Sequence, residues 1–187
     1  MEHMLASKIT QWCMRHNEMS ETQAEVVTYG IELLFNNIFK FIGLLILGIL
    51  FHRTGEVVLS IACFSLLRSQ AGGLHLETNI GCFSSMMFIC ILSCAGAEFV
   101  HELPLALLVV VSVAIVVLNI VYAPFVTKNK PIEDKMILRR KHICAVVLAV
   151  LLLAVMWAVP AWNIKMLILV PVTIETLTIL PCWHRKE

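Results

Sequence analysis

The stretch RSQAGGLHLETNIGC, residues 68–82, gathers an arginine, two adjacent glycines, a histidine, a glutamate and a cysteine in a chain that is otherwise strongly apolar. The chemistry these residue types can perform together is acyl transfer. Cys82 supplies a thiol, whose thiolate is the form that attacks a carbonyl. His75 can take the thiol proton and later return it to a leaving amine. Gly72 and Gly73 let the backbone turn sharply and present N–H groups to a developing oxyanion. Arg68 adds a permanently charged donor for that oxygen or for a carboxylate. The plainer alternative is that His75 anchors at the lipid headgroups while Cys82 simply packs. From the residues alone the two stand level.

Catalysis would make a demand on the backbone. In one straight helix His75 and Cys82 would share a face, yet lie about 10 Å apart along the axis. An imidazole and a thiol cannot close that gap to hydrogen-bonding distance. The chain is therefore expected to leave a helix at the glycine pair, carry His75 on a loop, and start a new helix. Thr78 or Asn79 is the expected N-cap, and Gly81 adds flexibility. Cys82 then falls in the first turn, where the positive end of the helix favours a thiolate.

The elements around this stretch belong to a membrane. The chain has 187 residues, of which 59% are hydrophobic and 14% charged, against roughly a quarter charged in a soluble domain. Residues 103–127, 143–164 and 78–97 carry no charge, and 166–183 holds only Glu175. Each is near the ~20 residues that cross a bilayer. Residues 31–51 form a fifth, more polar span. Residues 57–67 are too short to cross alone and predict a short or re-entrant helix shielded by its neighbours. The expected fold is all-α, a polytopic membrane helix bundle of about six membrane helices behind an N-terminal amphipathic helix. One domain, 1–187, is expected, with an interfacial segment at 1–27 and membrane helices over 28–183. In the interfacial segment Leu5, Ile9, Trp12 and Cys13 share a face; an ordinary solvated helix is the equal alternative.

With both termini cytoplasmic, twelve basic residues (Lys8, Arg15, Lys40, Arg68, Lys128, Lys130, Lys135, Arg139, Arg140, Lys141, Arg185 and Lys186) lie inside and only Arg53 and Lys165 outside. This asymmetry predicts a multi-pass protein of the cell membrane in that orientation. The basic residues orient the chain in lipid, so no nucleic-acid partner is expected. The Lys128–Lys141 cluster is foremost a topology and headgroup signal. Its sharper alternative is docking of an acidic peptide tail.

Seven cysteines, Cys13, Cys63, Cys82, Cys90, Cys94, Cys144 and Cys182, include no CxxC pair, and all but Cys82 are expected to be small hydrophobes. No metal and no cofactor are expected, because HExxH is absent and ligands are too few. Glu32, Asn36 and Lys40 recur at i, i+4 and i+8 on one helix face. They form either a self-paired stripe between helices or, with Glu175, the polar wall of a substrate chamber. Glu175, deep in the last span, needs a partner, for which Lys40 and Arg68 are candidates. It also competes with Glu77 and Asn79 as a group that could orient His75.

Arg68, Gly73, His75 and Cys82, in this spacing, resemble the active-site pattern of the AgrB family of membrane cysteine endopeptidases. The stretches YGIEL (Tyr29–Leu33) and YAPFVTKNKPI (Tyr122–Ile132) support the resemblance, which runs from about Tyr29 to Ile132; the C-terminal third carries little that matches. The resemblance implies that Cys82 is the nucleophile and His75 the general base and acid, with Arg68, Gly72 and Gly73 supporting the reacting carbonyl. It implies an AgrD-type precursor peptide as substrate, cleaved through a thioester acyl-enzyme and cyclised into a thiolactone signal for quorum sensing. It also implies a homodimer. A non-covalent small-peptide exporter is the alternative function, though the inverted repeats and broken helices typical of transporters are not visible. A thiol–disulfide carrier ranks third.

Overall fold

A computed structural model of the chain describes residues 9–10, 21–73, 78–125 and 135–181. Six long helices account for nearly all of them: α1 Glu21–Leu50, α2 Thr54–Ala71, α3 Asn79–Phe99, α4 Leu105–Tyr122, α5 Lys135–Ala158 and α6 Trp162–Thr178. Among the described residues there is no strand. Four helices, α1, α3, α4 and α5, are long and apolar enough to cross a membrane, and the protein is an all-α membrane helix bundle. The chain divides into two compact units, residues 1–47 and 48–187.

The first unit consists, where described, of helical Ile9 and Thr10 and most of α1. Thr28 Oγ1 lies 2.9 Å from Thr10 Oγ1 and donates to Ala24 O at 2.8 Å, so this hydroxyl is satisfied locally. Residues 21–27, expected in the interfacial segment, are instead the opening turns of α1 and run unbroken into the apolar stretch. The remainder of the expected amphipathic helix lies outside the described residues.

In the second unit the helix ends follow from proline and glycine. α2 stops at Gly72, whose N–H donates to Arg68 O at 3.0 Å. α4 runs from Pro104 to the Ala123–Pro124 bond. α5 departs from expectation. The apolar run 143–164 is not one span: the helix begins eight residues earlier, at Lys135, and ends at Ala158. Pro160 is the physical reason, since proline donates no N–H and disfavours helical backbone before it. Lys135, Arg139, Arg140 and Lys141 therefore occupy the first two turns of α5 rather than a connecting loop.

α6 is the centre of the unit and packs against α2, α3, α4 and α5. Its Met166, Leu167, Ile168, Leu169, Val172 and Glu175 are all buried. Small residues let the backbones approach: Ala145 and Ala149 are fully buried on α5, one turn apart and in line with buried Leu153 and Met156. On α4 the buried set is Leu108, Ser112, Ile115 and Asn119, a single helical stripe. The opposite face, with Val109, Val110, Val113, Val117 and Ile120, is exposed and apolar, as a hydrocarbon-facing surface must be. Buried hydroxyls turn back on their own helices: Ser93 donates to Ile89 O at 2.7 Å and Ser112 to Leu108 O at 2.8 Å. α2 and α6 are two short, charge-bearing helices of this packing, with Glu56 and Arg68 on α2 and Lys165 and Glu175 on α6, and each packs against α3 and α5 as well as against the other.

One end of the unit is pinned by Arg53, which donates to Glu56 at 2.9 and 3.0 Å and to Glu98 at 2.5 Å. Glu98 first, then Glu56, holds the guanidinium's pKa above its already high value. The network ties the start of α2 to the end of α3, and because it is solvent-exposed it contributes little to stability. The opposite end holds the candidate site.

Candidate functional site

Three pieces of chain converge where α2 ends: the glycine pair, the last turns of α6 and the segment Ala123–Phe125 that follows α4. Gly72 has φ 74° and ψ −146°, and Gly73 has φ 137°. Such backbone is essentially restricted to glycine. Space imposes the same restriction. A Cβ on Gly72 would lie 2.6 Å from the backbone oxygen of Phe125. One on Gly73 would lie 2.6 Å from Thr178 Oγ1 and 3.0 Å from Glu175 Oε1. The Ala123–Phe125 segment is strapped on: Phe125 N–H donates to Ala71 O at 2.7 Å, and His142 Nδ1 on α5 lies 2.6 Å from Ala123 O. The chain thus leaves α2 at the glycine pair.

Arg68, in the last turn of α2, donates through Nη1 to Glu175 Oε2 at 3.1 Å. Of the two partners considered for Glu175, the structure supplies Arg68. The Glu175 side chain is fully buried, whereas that of Arg68 is 28% exposed. The guanidinium carbon sits 5.4 Å from the centroid of the Phe64 ring, close enough for a cation–π contact. The Thr178 hydroxyl lies 2.8 Å from Glu175 O and 3.3 Å from Glu175 Oε2. The other carboxylate oxygen, Oε1, has no hydrogen-bond partner among the described residues.

Cys82 sits where α3 begins. Thr78 is the N-cap, its Oγ1 accepting from Gly81 N–H at 3.1 Å and its carbonyl accepting from Cys82 N–H at 3.0 Å. Cys82 is the fourth residue of the helix and is half-buried. His75 and Glu77, with the rest of 74–77, lie outside the described residues. What is described is the frame on either side of them: a glycine turn closing α2 and a capped helix opening at Asn79. A continuous helix through 73–90 is not what the chain forms.

The remaining residues singled out from sequence fall elsewhere. Glu32, Asn36 and Lys40 lie along α1, in the first unit. Cys63 and Cys90 are buried and Cys94 and Cys144 half-buried, all as free thiols; Cys13 and Cys182 are outside the described residues. So are Lys128 and Lys130. Among the described residues no three His, Cys, Asp or Glu side chains converge as metal ligands.

Four residues at this end were not singled out from sequence. Thr178 and Phe125 approach the glycine pair from distant positions, and although Phe125 lies in the YAPFVTKNKPI stretch, nothing local marks either as part of the site. His142 was hidden among basic residues. Asn119 carried a usable signal, as the lone amide in an apolar run. It is fully buried and its Nδ2 donates to Thr176 Oγ1 at 3.0 Å, joining α4 to α6 beside Glu175.

Comparison with known proteins gives a consistent likeness. The family described as Accessory gene regulator B matches residues 6–179. The chain is similar to Accessory gene regulator protein B of Staphylococcus epidermidis, 28% identical over 186 residues, covering 96% of this chain and 91% of that protein. The protein of the same name from Staphylococcus haemolyticus is 24% identical over 184 residues, covering 97% and 96%. A Clostridium perfringens protein named Putative AgrB-like protein 2 is 28% identical over 138 residues, covering 71% of this chain and 63% of its own length. No solved structure matches.

Proposed function

The chain belongs to the Accessory gene regulator B family, a family associated with agr quorum sensing, and on that premise we propose that it is a membrane cysteine endopeptidase that matures an AgrD-type precursor peptide. The Cys82 thiolate attacks the scissile carbonyl, forming a carbon–sulfur bond and an oxyanion. Arg68 and the backbone of the Gly72–Gly73 turn support that oxygen. As the intermediate collapses the peptide C–N bond breaks, and His75 gives its proton to the departing amine. The result is a thioester between Cys82 and the future signal segment. A cysteine thiol of the precursor then loses its proton to His75 and attacks the thioester. A new thioester closes the ring as a thiolactone, and Cys82 leaves as thiolate. The exchange trades one thioester for another and is nearly balanced in energy. Keeping water out therefore decides between cyclisation and hydrolysis.

The observation that carries this reading is the break between α2 and α3, with the glycine turn on one side of His75 and the Thr78-capped first turn bearing Cys82 on the other. Four residues lie between Gly73 and Thr78, and both of these flanking residues are outside the helices, so no single straight helix carries His75 and Cys82 about 10 Å apart. Multi-pass insertion with both termini cytoplasmic and a homodimeric state are part of the same proposal, the first resting on the basic-residue asymmetry. The test is co-expression with the small amphipathic peptide encoded next to its gene, followed by mass spectrometry. The expected products are a cyclic fragment lighter by one water than its linear form, and a hydroxylamine-sensitive adduct on Cys82. An exporter would instead deliver unaltered peptide and keep working with Cys82→Ala.

A further inference from the structure

Resting on that peptidase reading, we propose that Glu175 is a positioning residue of the site, which holds Arg68 at the glycine turn through Oε2 while Oε1 backs onto Gly73. The pair is asymmetric. The carboxylate is wholly buried in α6, and the guanidinium reaches from it towards the surface, its face steadied by Phe64. The carboxylate is the anchor and the arginine the presented end. Three polar atoms, Thr178 Oγ1, Glu175 Oε1 and Arg68 Nη1, gather within 3.4 Å of where a Gly73 side chain would be. Glu175 therefore fixes the place of the cation and the backbone of the turn together, and moving it moves both.

The cost of the arrangement argues against a merely structural pair. A carboxylate buried among membrane helices is expensive, and well-packed apolar residues usually serve stability as well or better. Here one of its two oxygens is also left without a donor among the described residues. An ion pair kept for helix packing alone would be expected to satisfy both oxygens or to be replaced. This pair satisfies only one, and it satisfies it with the arginine that the proposed chemistry requires.

The experiment uses the full-length protein in vesicles with its precursor peptide. Glu175→Gln keeps the side chain's size and an accepting oxygen but removes its charge. We expect kcat to fall about tenfold with KM within about twofold, the pattern of a lost transition-state interaction. In an Arg68→Lys background the same substitution should cost less than about twofold more, because the two residues act as one unit. Modification of Arg68 by phenylglyoxal, followed by mass spectrometry, should quicken about threefold in Glu175→Gln as the guanidinium is released. Where Glu175→Gln lowers the melting temperature by more than about 5 °C, Glu175→Asp takes its place, since it keeps the charge but shortens the reach to Arg68 and should give the same fall in kcat and the same faster modification. Unchanged kcat in a folded variant, losses that multiply in the double variant, or an unchanged phenylglyoxal rate would each overturn the proposal. If the unmodified protein fails to cleave the peptide, the peptidase reading falls, and the phenylglyoxal rate alone decides whether Glu175 governs Arg68.

Discussion

Of the two glycines that close α2, Gly72 should tolerate an added methyl group least, so Gly72→Ala should be strongly destabilising. Two effects combine. The backbone at φ 74°, ψ −146° is open essentially to glycine alone, and forcing another residue there costs about 1–3 kcal/mol. The new Cβ would also stand 2.6 Å from Phe125 O, where carbon and oxygen normally approach to ~3.3 Å. The strap must then retreat by roughly 0.7 Å, and it cannot do so while Phe125 N–H stays 2.7 Å from Ala71 O. Losing that bond adds about 1 kcal/mol. The sum is about 3 kcal/mol, which in a chain of this size lowers the melting temperature by roughly 6–12 °C. Thermal unfolding of detergent-purified protein, followed by tryptophan fluorescence, measures it. Gly73→Ala is the contrasting case. Its nearest obstruction, Thr178 Oγ1 at 2.6 Å, is the end of a side chain, so Gly73→Ala/Thr178→Ala should recover part of the loss. No side-chain truncation can relieve Gly72→Ala, because Phe125 O is backbone. A melting temperature for Gly72→Ala within about 2 °C of the unmodified protein would refute the reasoning.

Cys82→Ser and Cys82→Ala should each abolish precursor cleavage with normal membrane insertion, while replacing the other six cysteines together should leave substantial activity, both read by mass spectrometry of co-expressed peptide. Thr78→Ala removes the acceptor for Gly81 N–H; it should cost about 1 kcal/mol and, by fraying the first turn of α3, alter the rate of Cys82 alkylation in a variant with no other cysteine. Asn119→Leu breaks the hydrogen bond to Thr176 and should destabilise by roughly 0.6–1.7 kcal/mol, measured as a shift in melting temperature. In a cysteine-free background a cysteine placed at Asn129 should resist an impermeant reagent applied outside whole cells; its labelling would overturn the orientation.

The class of fold and the place of the break in it are legible along the chain alone. Charge-free runs near the thickness of a bilayer can do little except form membrane helices, because lipid leaves the backbone no other partner for its hydrogen bonds. Gly72–Gly73 and Thr78 marked where one helix must end and the next begin, since both signals act on the backbone within a few residues. The spacing of Arg68, Gly73, His75 and Cys82 pointed to the family for the same local reason. Helix ends set by competing local signals were less legible: the apolar run 143–164 concealed that Pro160 divides it and that basic residues begin α5. Which charges meet depends on how the helices pack. Glu175 is remote from Arg68 along the chain, and nothing local prefers Arg68 to Lys40 as its partner; the packing of α6 on α2 brings Arg68 to it. The crowding of Phe125 and Thr178 onto the glycine pair arises likewise from α4 and α6 ending at the same level of the bundle. A periodic pattern specifies which face of a helix is buried, but not which neighbour buries it or at what height, and those two facts determine whether a buried carboxylate finds its guanidinium.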